Sequence, residues 1–190
     1  DTVVVSGPTI TTSGELSGAV HVYDISSMPS TEIAVVTPSD RSGVMYFGES
    51  VSLKGDKLVV GSPYASSGGF TKADQVYVYE RSGNLFSEVE ILAMDTPKTN
   101  GFFGHDVETD GTTIIVGTNG NSGVGAAYSY TYNGTTHTNE KEFLSPTNTT
   151  VEHYGYRLAF DPATGDIFIG SFNGQNVSGD KVGLVDIQRK

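Results

Sequence analysis

Short runs of alternating or wholly apolar residues recur along the chain, separated by clusters of Gly, Ser, Asn and Asp. Residues 76–79 and 127–130 alternate with a period of two, which is typical of β-strands. Residues 58–60 are wholly apolar and are followed by a glycine, which indicates a strand covered on both faces. No segment keeps a 3.6-residue period between helix caps. The pattern therefore predicts an all-β fold with almost no helix.

Three aromatic-glycine pairs organise these runs into repeats. The pairs are Phe47-Gly48, Phe103-Gly104 and Tyr154-Gly155. Each pair precedes an alternating run, an apolar run closed by glycine, a Gly/Ser-rich loop and a second alternating run. The closing glycines are Gly61, Gly117 and Gly170, and the second alternating runs are expected at residues 76–79, 127–130 and 182–185. The period is roughly 50 to 56 residues, the size of a four-stranded propeller blade.

The first 46 residues fit the same frame from part-way in. Residues 3–8, 19–23 and 32–36 match the apolar run and the two strands that follow it. We therefore predict one β-propeller-type domain over residues 1–190, with about three and a half four-stranded antiparallel repeats. The predicted repeats are 1–46, 47–102, 103–153 and 154–190. Tight hairpin turns are expected at residues 54–57 and 109–112, where glycine supplies a positive φ.

The repeat resembles the FG-GAP repeat of integrin α-subunits and related extracellular proteins. Its motif is an aromatic-glycine pair, an apolar strand and a closing glycine that the first copy follows with proline. The matching residues are Phe47, Gly48, Gly61, Pro63, Phe103, Gly104, Gly117, Tyr154, Gly155 and Gly170. The resemblance covers essentially the whole chain. It implies structural roles for these residues, with each aromatic ring wedged between adjacent blades and each glycine leaving room for it.

The resemblance also implies a ring of seven blades, of which this chain supplies about half. A half-ring would expose open edges, which promote aggregation. We expect the chain to be a fragment of a longer propeller, or to be completed by a protein partner or by further copies of itself. Some blades of the family carry an Asp-rich calcium loop. The equivalent residues 54–57, 109–112 and 161–166 supply too few carboxylates at alternate positions, so we expect no cofactor and do not predict calcium binding.

Composition narrows the range of partners. The formal net charge is -11, which argues against nucleic acid and anionic membranes because both require a basic surface. The chain has no Cys and no Trp, and no apolar run approaches the length of a membrane helix. It begins with Asp1, which is consistent with removal of a signal peptide or with a start inside a longer protein. We expect an extracellular or cell-surface location.

Catalytic motifs are missing from the sequence. The four histidines, His21, His105, His137 and His153, are scattered over different repeats, and no nucleophile elbow, P-loop or zinc motif occurs. His105 and His153 both flank an aromatic-glycine pair and are expected near one face. Carboxylates are numerous, so a glycosidase pair stays open at this point. We predict that the protein is not an enzyme and that it has no catalytic or metal-binding residues.

Two further features bear on function. Three sequons, at Asn133, Asn148 and Asn176, lie in expected loops and are candidate N-glycosylation sites. Four aromatic residues in or near loops are candidate ligand contacts: Tyr64, Phe70, Tyr132 and Phe172. The leading hypothesis is an extracellular interaction or structural module that contacts other proteins. The alternative is a carbohydrate-binding, lectin-like propeller, which the absence of Trp weakens.

Overall fold

The fold was analysed on a computed structural model that describes most of the chain. The described residues are 1–9, 11–12, 15–16, 18–40, 46–64, 74–94, 101–119, 124–146, 153–161, 163–176 and 178–189. They form sixteen strands and no helix, as the alternating pattern predicts. No helix among these residues is long and apolar enough to cross a membrane.

The strands form four main antiparallel sheets, numbered here in chain order. The first sheet contains β1 (Thr2–Gly7), β4 (Ala19–Asp24) and β5 (Thr31–Val36). The second contains β6 (Ser50–Lys54), β7 (Lys57–Ser62), β8 (Gln75–Ser82) and β9 (Leu85–Leu92). The third contains β10 (Phe103–Thr109), β11 (Thr113–Thr118), β12 (Ala126–Tyr132) and β13 (His137–Phe143). The fourth contains β14 (Arg157–Phe160), β15 (Ile167–Ser171) and β16 (Leu184–Gln188). A small hairpin joins β2 (Thr11–Thr12) to β3 (Glu15–Leu16).

Each main sheet lies within one predicted repeat, but only the second and third sheets have four strands. The first and fourth sheets have three strands each among the described residues. In the described residues the first sheet has no counterpart of β6, and the fourth has no counterpart of β9. No sheet in this part of the chain closes on itself, and the expected ring of seven blades is not seen.

The third strand of the fourth sheet differs from its predicted position. The sequence pattern places it at residues 182–185, whereas β16 is Leu184–Gln188. Gly61, Gly117 and Gly170 pair with Val76, Ala127 and Val185, respectively. Val185 is thus the counterpart of Val76. The prediction took Val182 for this counterpart, three residues too early, because Val182 and Leu184 show the same alternation as Val185 and Ile187 and the pattern alone cannot choose between the two pairs.

The sheets stack face to face, and the aromatic-glycine pairs lie between them. Phe47, Phe103 and Tyr154 are fully buried. Phe47 packs against Val20 of the first sheet and Tyr77 of the second, in the wedge role that the resemblance implies. Neighbouring sheets approach most closely through their first strands, β6, β10 and β14. Three apolar clusters fill the spaces between consecutive sheets.

Candidate functional site

Aromatic rings collect at one end of the stacked sheets, where the first strands begin and the second strands finish. We call this surface the aromatic end. Its members flank the aromatic-glycine pairs or follow the second strands: Tyr46, Tyr64, Phe102, His105, His153, Tyr156 and Phe172. All are partly or largely exposed. The fold thus presents rings from three consecutive sheets on one surface.

The rings contact one another across the sheet boundaries. Tyr64 of the second sheet lies 5.2 Å from Phe102 of the third, measured between ring centroids. His105 of the third sheet lies 4.6 Å from Tyr156 of the fourth. Phe102 and His105 belong to one turn, in which the His105 amide donates to the Phe102 carbonyl at 3.1 Å. The aromatic end is therefore continuous over the three sheets.

The backbone geometry at Phe102 and His153 helps to place aromatic rings on the surface of the aromatic end. Phe102 and His153 have φ values of 55° and 53°, in the left-handed region that bulky residues rarely adopt. Each directly precedes a buried ring, so the chain turns sharply between an outward and an inward aromatic side chain. Such strain costs of order 1–3 kcal/mol and is found preferentially at functional sites. His153 is held by a hydrogen bond between its Nδ1 and Oδ1 of Asn119.

The electrostatic character of the aromatic end changes along its length. Burial raises the pKa of Tyr64, and the nearby charge of Glu49 adds to the rise. Burial also lowers the pKa of His105 to about 4, with further contributions from Arg157 and His153. His105 is therefore neutral at physiological pH, and its buried Nδ1 has no hydrogen-bond partner among the described residues. The surface thus combines the neutral rings of Tyr64 and His105 with an acidic edge at Glu49 and a basic edge at Arg157.

The predicted ligand-contact aromatics do not form a single site. Tyr64 and Phe172 both lie at the aromatic end, where Phe172 is 52% exposed and stacks on His153 at 4.6 Å with an interplanar angle of 11°. Tyr132 lies at the opposite end of the sheets, because it closes β12 and pairs with His137 there. Phe70 lies outside the described residues.

Sequence reasoning missed Phe102 and Tyr156 as candidate contacts, and it expected only that His105 and His153 would share a face. The signal was present in the positions that flank each aromatic-glycine pair. The preceding residue is Tyr46, Phe102 or His153, and the residue after the glycine is Glu49, His105 or Tyr156. Because the residue type at these positions varies between repeats, their common location on one surface becomes apparent only in the folded structure.

A polar group joins the second and third sheets at the opposite end. The Glu90 carboxylate accepts the backbone N–H of His137 at 3.0 Å and contacts its Nδ1 at 2.5 Å. The His137 ring packs 5.1 Å from Tyr132, and the Lys57 ammonium lies 4.9 Å from the centroid of Tyr132. Lys57 also pairs with Glu80 at 3.1 Å. These contacts connect the second and third sheets, and Tyr132 takes part in them through His137 and Lys57.

Two partly buried carboxylates of β10 also connect sheets. Burial raises the pKa of Asp106 to about 6, and Asp106 accepts the backbone N–H of Leu158 from the fourth sheet at 2.8 Å. Burial likewise raises the pKa of Glu108, which accepts the Ser52 hydroxyl of the second sheet at 3.0 Å. A raised pKa is one mark of a catalytic acid. In both Asp106 and Glu108, the carboxyl group with the raised pKa accepts a hydrogen bond from a neighbouring sheet.

The loops equivalent to the family's calcium sites form short turns. Lys54 pairs directly with Lys57, and Asp110 accepts the amides of Thr112 and Thr113. The Asp161 carboxylate accepts the Ala163 amide and the Thr164 hydroxyl. Within the described ranges, no three His, Asp or Glu side chains lie together as metal ligands would.

Two of the three sequons lie in exposed turns. Oδ1 of Asn133 accepts the amides of Thr135 and Thr136, and Oδ1 of Asn176 accepts those of Ser178 and Asp180. Both asparagines are exposed. Asn148 lies outside the described residues.

Comparisons with known proteins identify part of the chain. A search among curated proteins returns no match. A family model described as the FG-GAP repeat matches residues 30–79. The matched segment runs from β5 to β8 and includes Phe47, Gly48, Gly61 and the buried Pro63. Residues 30–79 therefore match an FG-GAP repeat, in agreement with the resemblance that the sequence motif carries.

Proposed function

We propose that this chain is a non-enzymatic interaction module that binds a protein partner at the aromatic end. The observation that carries the proposal is the continuous run of rings over three sheets. Aromatic residues dominate the energetics of protein interfaces because they bury large areas at small entropic cost. FG-GAP repeats are protein-interaction modules of the integrin-like kind, which fits this role.

The charge of the chain favours a partner surface that presents Lys or Arg. The net charge is -11, and Glu49 lies beside the Tyr46–Tyr64 pair. A cation over an aromatic face gains about 0.5–2 kcal/mol. A basic partner would also be drawn to the acidic chain over longer distances, at a rate that falls with salt.

A selection experiment tests the proposal. A random peptide display library is panned in parallel on the wild-type chain and on a Tyr64→Ala/Tyr156→Ala variant. We expect the wild type to enrich peptides that contain Lys or Arg, and the variant to lose them. A matched control, Tyr132→Ala, removes a tyrosine from the opposite end and should retain the enrichment. Identical enrichment on all three proteins would contradict the proposal.

One observation favours a carbohydrate ligand as the second candidate. The Phe172 ring is half exposed and stacks nearly parallel on His153, which makes a flat platform of the kind on which sugar rings stack. A glycan array separates the two candidates. Glycan hits that disappear with Phe172→Ala, together with no peptide enrichment, would replace the protein partner with a carbohydrate.

We also propose that the four sheets are consecutive blades of a larger, extracellular propeller of seven blades. The face-to-face stacking and the repeat match support the propeller arrangement. The exposed Asn133 and Asn176 sequons support passage through a secretory pathway. The short turns at residues 54–57 and 109–112 support a module without calcium at those positions.

A further inference from the structure

A cavity lies between the third and fourth sheets, at the end of the sheets opposite the aromatic end. Its volume is about 300 Å³. Lys141 and Phe143 of β13 line it from the third sheet, and Phe160, Ile167 and Gln188 line it from the fourth. We call it the junction cavity. Comparison with the two preceding junctions between sheets shows why it forms here.

The strand register identifies one position that opens the cavity. The residue three positions before each closing glycine pairs with Tyr79 in the second sheet, with Tyr130 in the third and with Gln188 in the fourth. Tyr79 and Tyr130 are 2% and 4% exposed, and each belongs to the apolar cluster between its own sheet and the preceding one. Gln188 is smaller and polar, so no ring fills this place between the third and fourth sheets.

A second position changes in the same direction on the facing sheet. Val78 of the second sheet is fully buried and packs in the same cluster as Tyr130. Its register counterpart in the third sheet is Ser129, because each pairs with the residue two positions before the closing glycine. Ser129 lines the junction cavity. Both differences remove volume and add polar atoms, so the cavity is particular to this junction and does not follow from the shared repeat.

Two cations lie at the junction cavity. Lys141 and Arg189 both line it, and its described lining holds no Asp or Glu. Neither cation forms an ion pair with a carboxylate of the described residues. The Lys141 ammonium lies 4.5 Å from the centroid of the Phe143 ring. Since the chain has 22 acidic and only 11 basic residues, two cations beside a cavity without carboxylates indicate an anionic ligand.

The Gln188 side chain helps to hold the Lys141 ammonium at the cavity. The Lys141 ammonium donates to Oε1 of Gln188 at 3.3 Å. Nε2 of Gln188 in turn donates to Oδ2 of Asp186 at 2.7 Å, and the same oxygen accepts the Tyr154 hydroxyl. Asp186 is not among the residues that line the cavity. The Gln188 amide therefore lies between the Asp186 carboxylate and the Lys141 ammonium, whose other N–H groups stay available to a ligand.

Apolar side chains from both sheets also line the junction cavity. Phe143 is 6% exposed, and the partly buried Phe160 and Ile167 pack against the same cluster. A ligand that matches this lining combines an apolar group with an anionic group. A volume of about 300 Å³ is at the lower end of the range for small-molecule sites, so it suits a small organic molecule.

We propose that the junction cavity binds a small organic carboxylate that carries an aryl or alkyl group. The apolar group lies against Phe143, Phe160 and Ile167, and the carboxylate accepts charge-assisted hydrogen bonds from Lys141 and Arg189. Such a ligand leaves the buried apolar surface dry and supplies the anion that the described residues do not. The site is separate from the aromatic end, and its occupation does not depend on the protein contact proposed there.

Amide NMR spectra of the ¹⁵N-labelled wild-type chain test the proposal during titration with 3-phenylpropionate or hexanoate. We expect saturable shifts at the amides of Ser129, Ile167 and Gln188. The neutral isostere 3-phenylpropionamide should bind at least ~10-fold more weakly, because it loses the hydrogen bonds between opposite charges. Equal affinity for the acid and its amide, or no saturable shifts at these amides with either carboxylate, would overturn the proposal.

Two variants connect binding with the junction cavity. Lys141→Gln should weaken binding of 3-phenylpropionate at least ~10-fold. Lys181→Gln, at an exposed lysine outside the lining, removes the same charge and should leave the affinity unchanged. Gln188→Tyr introduces the residue type found at Tyr79 and Tyr130, so it should fill the cavity and abolish binding while the dispersed amide spectrum is kept. Wild-type affinity in Lys141→Gln, or in folded Gln188→Tyr, would contradict the assignment of the ligand to this cavity.

Discussion

Where two sheets approach each other closely, the repeat requires glycine because no larger side chain fits. Gly117→Val would place a side chain within 2.0 Å of the Gly155 carbonyl oxygen. We expect it to reduce the free energy of unfolding by about 3 kcal/mol or more, since a backbone cannot yield as a side chain can. Urea denaturation measures the loss.

Gly170→Val is the matched control for this prediction, because Gly170 has the same place in the motif and no covering sheet. We expect a change within about 1 kcal/mol. Equal losses at Gly117 and Gly170 would mean that glycine is required within the strand itself and would contradict the stacking described above.

The Asp106 carboxyl predicts a pH dependence. Its pKa is about 6 in the folded chain and ordinarily 3.8, so the folded state binds the proton more tightly than the unfolded state. The contribution of Asp106 to stability is therefore greatest below about pH 4 and falls as the pH rises through about 6, by at most about 3 kcal/mol. Asp106→Asn keeps an acceptor for the Leu158 amide and should raise stability at pH 7. Urea denaturation from pH 4 to pH 8 measures this.

His105 has the opposite sign. Its pKa of about 4 lies below the ordinary 6.5, so the folded state disfavours the protonated ring. The free energy of unfolding therefore decreases as the pH falls from about 6.5 towards 4. His105→Gln should remove that loss without changing the slope that Asp106 produces. A pH profile that neither variant alters would contradict the burial of both groups.

Residue-level prediction from sequence succeeded where the spacing was local. The aromatic-glycine pairs and their buried rings follow from a motif within each repeat. The exposed rings of Phe102 and Tyr156 were missed because their significance depends on which sheets become neighbours. Loop position alone likewise does not indicate which end of a strand a side chain occupies, so the sequence could not place Tyr132 at the opposite end from Tyr64.

At the scale of elements, the Glu90–His137 contact joins β9 to β13. Glu90→Ala would leave the buried N–H and ring nitrogen of His137 without their acceptor. We expect a loss of about 2 kcal/mol in the free energy of unfolding, typical of a buried donor left unpaired. Ser87→Ala, on the exposed side of the same strand, should have little effect. A negligible loss for Glu90→Ala would indicate that water replaces the carboxylate.

Strand identity was predictable to a large extent, and strand register was not. The alternating runs gave β6 to β13 close to their observed positions. β16 was placed too early because the pattern at residues 182–187 is compatible with two registers. Its true register is fixed by pairing with Gly170, which is a tertiary contact that one-dimensional periodicity does not contain.

At the scale of the whole molecule, secretion would be detectable as N-glycosylation. If the chain passes through a eukaryotic secretory pathway, the exposed Asn133 and Asn176 should carry N-glycans. Expression with a signal peptide should then give a mass that falls after enzymatic deglycosylation. Asn133→Gln and Asn176→Gln should each remove one glycan. An unmodified mass in secreted material would remove the sequons as support for an extracellular location.

The proposal places partner binding at the aromatic end and structural contacts at the opposite end of the molecule. Site-specific photo-crosslinking tests this most directly. A benzoylphenylalanine replaces Tyr64 at the aromatic end in one protein and Tyr132 at the opposite end in another, and each is irradiated with the extracellular fraction of the source. We predict a protein adduct from position 64 that position 132 does not give. Adducts of equal yield from both positions, or none from position 64, would contradict the account.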